Sequence, residues 1–343
     1  MTQTSTDRCV RALLRQGIEQ LRAAQVPSFT LAAELLLLHV ANRDRTWLYA
    51  HPEEILPVET TEKYFALLQR RAKGEPTQHL TGKQEFWGLE FEVNPNVLIP
   101  RPETEHLIEV ALDRLAVREL QAGRPAAKLV GEGLTIVDVG TGSGCIAIAL
   151  AKELPAATIY ATDISPAALE VAQRNAKRLG LSHRVRFLES NLLDAFRSHS
   201  VGAQHAAPQL GKVITEFPSS SPATRHSLPP SGAEGPLLFD LIISNPPYIG
   251  HREADSLPME VRNHEPANAL YGGQEGYELY GHLIPQAAQF LKPNGLLILE
   301  LGHNSLPAVG PLFDTSTWHK SAVTNDLAGI PRVLSAERSG DKR

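Results

Sequence analysis

Apolar residues recur at helical spacing from the start of the chain to about residue 80. Val10, Leu13, Leu14, Ile18 and Leu21 share one helical face. Pro27 and Ser28 interrupt the pattern before a second helix carrying Leu31, Leu35, Leu38 and Val40. A third helix is expected over about 60–73, with Gly74 as its stop signal and Pro76 beyond it. The period then changes. Phe86, Trp87, Leu89, Phe91 and Val93 alternate as strands do, and Gly88 suits a turn between two of them, so a β-hairpin is expected. Pro102 marks a helix start, where Glu103 and Glu105 favour the helix dipole and can also reach a cofactor or substrate.

From residue 134 short apolar runs alternate with helical stretches. Strands are expected at 134–139, 158–163, 185–188, 239–244 and 296–300. A buried helix fills 145–154. A second begins with Ser165 as N-cap and Pro166 as first residue, carries Leu169, Ala172, Ala176 and Leu179, and stops at Gly180. A third, from about Tyr277, carries Leu279, Leu283, Ile284, Ala287, Phe290 and Leu291, and Pro293-Asn294-Gly295 turns into the last strand. Strands alternating with helices predict an α/β fold with a mainly parallel sheet. The stretch 198–236, rich in Ser, Pro, Ala, Gly and His, cannot bury enough apolar surface to order itself and reads as a disordered insertion. Its histidines, His199, His205 and His226, are too scattered to hold a metal. The Gln121 to Pro125 stretch extends the loop before the first strand of the sheet. The expected division is 1–80 helical, 81–100 hairpin linker and 101–343 α/β domain.

Composition narrows the partners. The 343 residues carry 33 Lys and Arg against 38 Asp and Glu, a formal charge of -5, which does not suit a dedicated nucleic-acid binder. The two cysteines, Cys9 and Cys145, are too few for a disulfide framework or a metal site and fit a reducing cytoplasm. No metal is expected. The first residues lack a signal-peptide pattern, and no apolar run approaches a membrane span.

The candidate chemistry lies at strand ends. Asn245-Pro246-Pro247-Tyr248 follows the strand ending at Ser244. Two prolines fix two φ angles and remove two backbone donors. The turn is therefore stiff and rich in acceptors, suited to gripping an –NH2 group by both hydrogens, and Tyr248 can stack on a planar group. An ordinary proline turn is the plain alternative. Gly140-Thr141-Gly142-Ser143-Gly144 follows Asp138-Val139 and precedes the buried helix, the nucleotide-cradling strand–turn–helix arrangement. Its spacing is G-x-G-x-G, unlike the dinucleotide G-x-G-x-x-G. Its glycines let backbone N–H groups approach a ligand closely. Asp163 ends the next strand, about 20 residues on, where an acid suits a ribose diol.

Together these motifs resemble an S-adenosylmethionine-dependent methyltransferase acting on a planar nitrogen. The stretches Thr81 to Leu89, Val97 to Glu105, Glu265-Pro266 to Ala269-Leu270, Gly272-Gly273 with Gly276, and Asp326 to Gly329 resemble the release factor glutamine methyltransferases, the HemK/PrmC family. The resemblance implies a Rossmann-like class I methyltransferase domain behind a small helical substrate-docking domain. It implies S-adenosylmethionine as cofactor, bound by the 140–144 loop, Asp163, Asn191, Leu192 and Asn245. An acid usually stands in the family where Asn191 does, and Asn can still meet the adenine. Leu192 is either a wall against that ring or core packing. The implied substrate is the Gly-Gly-Gln glutamine of peptide chain release factors, with no membrane or direct nucleic-acid partner, and a monomeric state is expected.

Asn245 Oδ1 and the Pro246 carbonyl are the expected acceptors, with Pro247 and Tyr248 completing the catalytic turn. A ribosomal-protein glutamine, or an exocyclic amine in nucleic acid, would suit the same tetrapeptide. A dinucleotide oxidoreductase and a non-catalytic interaction protein fit the motifs less well. The chain also contains Gly272-Gly273-Gln274, the methylated tripeptide itself; loop geometry explains it better than self-methylation.

Overall fold

The computed structural model describes residues 8–121, 123, 130–199 and 237–340. The insertion expected at 198–236 lies outside the described residues except for its first two positions, as do His205, His226 and part of the 121–125 extension. The described residues fall into two compact units. One comprises those in Met1–Gln84, Val93–Pro95 and Ser256–Glu265. The other comprises those in Glu85–Glu92, Asn96–Asp255 and Pro266–Arg343.

The first unit is helical. It holds α1 (Val10–Ala23), α2 (Phe29–Ala41), α3 (Arg45–Ala50), α4 (Val58–Ala72) and α5 (Thr77–Thr81). Its core is Leu13, Leu21, Leu36, Leu37, Tyr64 and Leu68. Gly17 lets α1 close on α4, since a Cβ there would stand 2.0 Å from the Tyr64 hydroxyl. That hydroxyl donates to the Ala33 carbonyl at 3.2 Å, so the buried phenol keeps a partner. The expected face of α2 needs correction. Ala32, Ala33, Leu36 and Leu37 are buried, whereas Leu31 and Leu35 are exposed. Apolar residues surround this helix almost completely, so period alone does not select its inner face. The short α3 and α5, of six and five residues, are too brief to show a helical apolar period. Asp44 caps α3 by accepting from the Trp47 amide at 2.8 Å.

In chain order there follow the hairpin strands β1 (Lys83–Phe86) and β2 (Leu89–Glu92), then α6 (Glu105–Gln121), β3 (Thr135–Val139), α7 (Cys145–Glu153), β4 (Thr158–Asp163), α8 (Pro166–Arg178), β5 (Val185–Glu189) and β6 (Phe239–Ser244). Next come β7 (Ile249–Gly250), α9 (Met259–His264), α10 (Ala267–Leu270), β8 (Tyr271–Gly273), α11 (Glu278–Phe290), β9 (Leu291–Glu300), α12 (Leu306–Val309), β10 (Trp318–Asn325) and β11 (Pro331–Arg338). The hairpin turns through Trp87 and Gly88, both at positive φ, as a two-residue turn of matching twist requires. Glu105 accepts from the Trp87 amide at 2.7 Å. Its carboxylate thus fixes the hairpin turn as well as sitting in the first turn of α6.

The seven-stranded sheet has the order β10-β11-β9-β6-β3-β4-β5. β9, β6, β3, β4 and β5 run parallel, and β11 and β10 add an antiparallel edge. This is the Rossmann-like sheet that the alternation of strands and helices predicts. Ile136, Ile159 and Leu241 pack on the face covered by α6, α7 and α8. Val137, Tyr160 and Ile242 pack on the face covered by α11. Both faces are buried, which is why the strands read as continuous apolar runs. Strand order reverses between β3 and β6, so the switch-point crevice opens at the carboxyl ends of these strands. The β10–β11 hairpin was not anticipated. Its turn is held by Asp326, which accepts from the Ala328 and Ile330 amides and pairs with Arg332. Leu291, assigned above to the preceding helix, opens β9 and pairs with Phe239.

Candidate active site

A cleft of about 290 Å³ lies over the ends of β3, β4, β5 and β6. Gly140, Gly142, Asp163, Asn191, Leu192, Asn245, Pro246 and Pro247 line it, together with Asn96, Val97, Leu98, Ile164, Asn268, Ala269 and Tyr271. Eight residues singled out in the sequence thus converge on one cleft. Val97, Leu98 and Ala269 lie in stretches that carried the family resemblance, but nothing in their own chemistry marked them as lining residues.

The glycine loop is built differently from a phosphate cradle. The amides of Gly140 and Thr141 both donate to the Thr162 carbonyl, at 2.8 and 2.9 Å. Gly142 N–H donates to Asp163 Oδ2 at 2.9 Å, and Gly144 N–H to the Thr141 carbonyl at 2.8 Å. Four amides expected to face a ligand are therefore used within the protein. What Gly140 and Gly142 supply is positive φ and open floor, since a Cβ at either would meet nothing within 4 Å. A ligand with an uncharged or cationic portion fits this floor better than a pyrophosphate, which needs free N–H donors. Thr141, Ser143 and Gly144 do not reach the cleft. Thr141 donates to Asp138 at 2.6 Å, Ser143 is buried, and Gly144 gives α7 its close approach to Ala172.

Asp138 and Asp163 support the loop from below and beside. Asp138 is fully buried, and its Oδ2 also accepts from the Ala147 amide. Burial pushes its carboxyl up to about 7, against the Thr141 and Ala147 hydrogen bonds and with Asp163 adding to the rise. Asp163 Oδ1 accepts from the Ser165 amide at 2.9 Å. Burial raises its carboxyl, opposed by the Ser165, Gly142 and Ile164 amides. Each oxygen keeps a further lone pair that can accept from a hydroxyl in the cleft. Leu192 is held at φ +51, a strained value for a non-glycine residue. Thr162 Oγ1 clamps its carbonyl at 3.2 Å. Leu192 lines the cleft and also packs against the core on the α11 face of the sheet.

The Asn-Pro-Pro-Tyr turn leaves β6 where Ser244 Oγ donates to the Val139 carbonyl at 2.7 Å, tying it to the end of β3. Asn245 Nδ2 donates to Thr104 Oγ1 at 3.0 Å, which leaves Oδ1 without this partner. Tyr248, expected as a stacking platform, is not among the cleft-lining residues. Its hydroxyl donates to Glu300 Oε1 at 3.4 Å, and its ring packs against Gly302. It anchors the turn from behind. Glu300 is fully buried. Burial pushes its carboxyl up to about 7, against the Thr104 and Tyr248 hydroxyls and the Arg332 guanidinium, while Glu103 adds to the rise. Thr104 and Glu300 were missed. Thr104 sat within the family-like 97–105 stretch, and Glu300 looked like the end of a strand.

Gly272 and Gly273 meet the turn by close backbone approach. A Cβ on Gly272 would lie 2.3 Å from the Pro247 carbonyl oxygen, and Gly273 sits at φ +138 against Glu278. β7 and β8 pair there through Ile249 with Tyr271 and Gly250 with Gly273.

Residues 12–82 match the family described as PrmC N-terminal domain, and residues 131–205 match a methyltransferase domain family. The chain is 40% identical over 318 residues to a release factor glutamine methyltransferase of Koribacter versatilis, covering 93% of this chain and 94% of that protein. It is 38% identical over 330 residues to the protein of the same name from Moorella thermoacetica, covering 96% and 98%. Among solved structures it is similar to a methyltransferase from Pyrococcus furiosus, at 18% identity and a TM-score of 0.42, over 74% of this chain and 90% of that one.

Proposed function

The chain belongs to the release factor glutamine methyltransferases, and we propose that it methylates the glutamine side-chain amide in the Gly-Gly-Gln motif of peptide chain release factors, tuning translation termination. The methyl donor is S-adenosylmethionine. The observation carrying this reading is the stiff acceptor turn of Asn245 and Pro246, which opens on the same cleft as Asp163 and the bare glycine floor.

When bound, the cofactor supplies a methyl already activated by its sulfonium, so no metal is needed. Asp163 would hold the ribose, Asn191 and Leu192 would meet the adenine, and Gly140 and Gly142 would make room for the methionine portion. Thr141, Ser143 and Gly144 shape that loop from behind. An amide nitrogen shares its lone pair with its carbonyl and is a poor nucleophile. Asn245 Oδ1 and the Pro246 carbonyl accept its two hydrogens and hold it in line, a positional effect of several kcal/mol. The same acceptors stabilise positive charge growing on the nitrogen, the inverse of an oxyanion hole. Pro247 keeps the turn rigid. The proton leaves after transfer, to water or a carboxylate.

The reading extends to the whole chain. Residues 1–80 dock the substrate, 81–100 form the linker and 101–343 carry the transfer chemistry. The enzyme acts as a cytoplasmic monomer without direct nucleic-acid contact. Among the described residues no helix is long and apolar enough to cross a membrane.

Asn245→Ala tests the assignment. The rate of methyl transfer is expected to fall roughly a hundredfold, while equilibrium dialysis shows cofactor binding within a few-fold of wild type. Full activity in that variant would remove the core of the mechanism.

A further inference from the structure

An asparagine amide is nearly symmetric in shape, so Asn245 can present either its oxygen or its NH2 to the cleft. Only the oxygen accepts a substrate hydrogen. The choice depends on what lies behind Asn245. There Nδ2 donates to Thr104 Oγ1 at 3.0 Å, and Thr104 is 2% exposed. A threonine hydroxyl has one proton and can direct it only one way. Beyond it stands Glu300, on which Thr104 acts as a hydrogen-bond donor. Glu300 Oε1 accepts from Tyr248, whereas Oε2 is buried and closes no hydrogen bond in the structure. A buried carboxylate oxygen draws strongly on any proton beside it.

We propose that Glu300 is a positioning residue which, acting through Thr104, fixes the Asn245 amide with its oxygen toward the cleft. An ionised carboxylate can only accept. It therefore claims the Thr104 proton, and Thr104 Oγ1 can then only accept from Asn245. Nδ2 must turn to Thr104, and Oδ1 must turn to the substrate. Only a group at position 300 that turns a donor toward Thr104, as a protonated Glu300 does, reverses the chain. Thr104 then directs its proton at Asn245, the amide rotates, and NH2 faces NH2. The inference rests on the reading of Asn245 as the acceptor of the substrate amide.

The surroundings of Glu300 support a single ionisable group governing this relay. Tyr280 on α11 and Tyr248 face it, and burial pushes both phenols up, so both stay neutral. The Cys145 thiol at the start of α7 is pushed up to about 12 and is also neutral. Arg332 on β11 favours the ionised carboxylate, and Glu103 opposes it.

The test compares wild type, Thr104→Ser, Thr104→Val and Glu300→Gln in single-turnover methyl transfer to a release factor, with the cofactor Kd and the pH profile measured for each. Thr104→Val is expected to lose roughly ten- to a hundredfold in rate with the cofactor Kd unchanged. Thr104→Ser, which keeps the hydroxyl, recovers most of the rate. The wild-type rate falls on the acid side as Glu300 takes its proton, near pH 7, and Glu300→Gln lacks that limb. A wild-type rate in Thr104→Val, or an unchanged acid limb in Glu300→Gln, overturns the relay. A loss in Thr104→Val matched by an equal loss of cofactor affinity or melting temperature also overturns it. Wild type failing to methylate the release factor overturns the assigned activity instead, and the relay with it.

Discussion

Under the proposed function, Asp163 serves fold and ligand together. Both its oxygens hold backbone amides, of Gly142 and Ser165, and so set the loop and the start of α8. Asp163→Ala should raise the cofactor Kd roughly ten- to a hundredfold, measured by calorimetry, and lower the melting temperature as those amides lose their acceptor. An unchanged Kd would remove Asp163 from the site. The acid was legible in the sequence because it ends an apolar run at a fixed distance from a glycine loop. Thr104 was not, because a buried threonine becomes a partner of Asn245 only through packing between residues 141 positions apart. Tyr248 was legible as important but not in its direction. Its orientation follows from the buried Glu300, which no local pattern announces.

At the scale of elements, the parallel strands and the helices between them were readable because each strand is a continuous apolar run bounded by turn residues. The inner face of α2 and the β10–β11 hairpin were not. The first is apolar nearly all round, and β10 is largely exposed, so it has little apolar pattern. The β7–β8 contact makes a sharp prediction. Gly272→Ala drives a Cβ into the Pro247 carbonyl and should cost about 1–3 kcal/mol by urea unfolding, with activity lost as the turn shifts. Gly281 lies within α11, where an added Cβ meets nothing within 4 Å. Gly281→Ala should therefore stabilise by about 0.5–1 kcal/mol. Equal effects at the two positions would contradict the close approach seen at Gly272.

Across the whole molecule, two fully buried carboxyls leave a signature in stability. Burial pushes Asp138 and Glu300 up to about 7, from ordinary values of 3.8 and 4.5. In that interval the folded chain holds protons that the unfolded chain releases, so stability falls as pH rises toward 7. The melting temperature should drop from about pH 5 to 7, and Asp138→Asn should flatten part of that drop. A melting temperature that rises over this window would contradict the buried, proton-holding state of both groups. The central claim concerns the molecule with its substrate. Labelled methyl from S-adenosylmethionine is offered to a purified bacterial release factor and to the same factor with its Gly-Gly-Gln glutamine changed to Ala. The account predicts label on the first and none on the second. Label on both, or on neither while the cofactor binds, would contradict it and turn the search to a ribosomal-protein glutamine or a nucleic-acid amine.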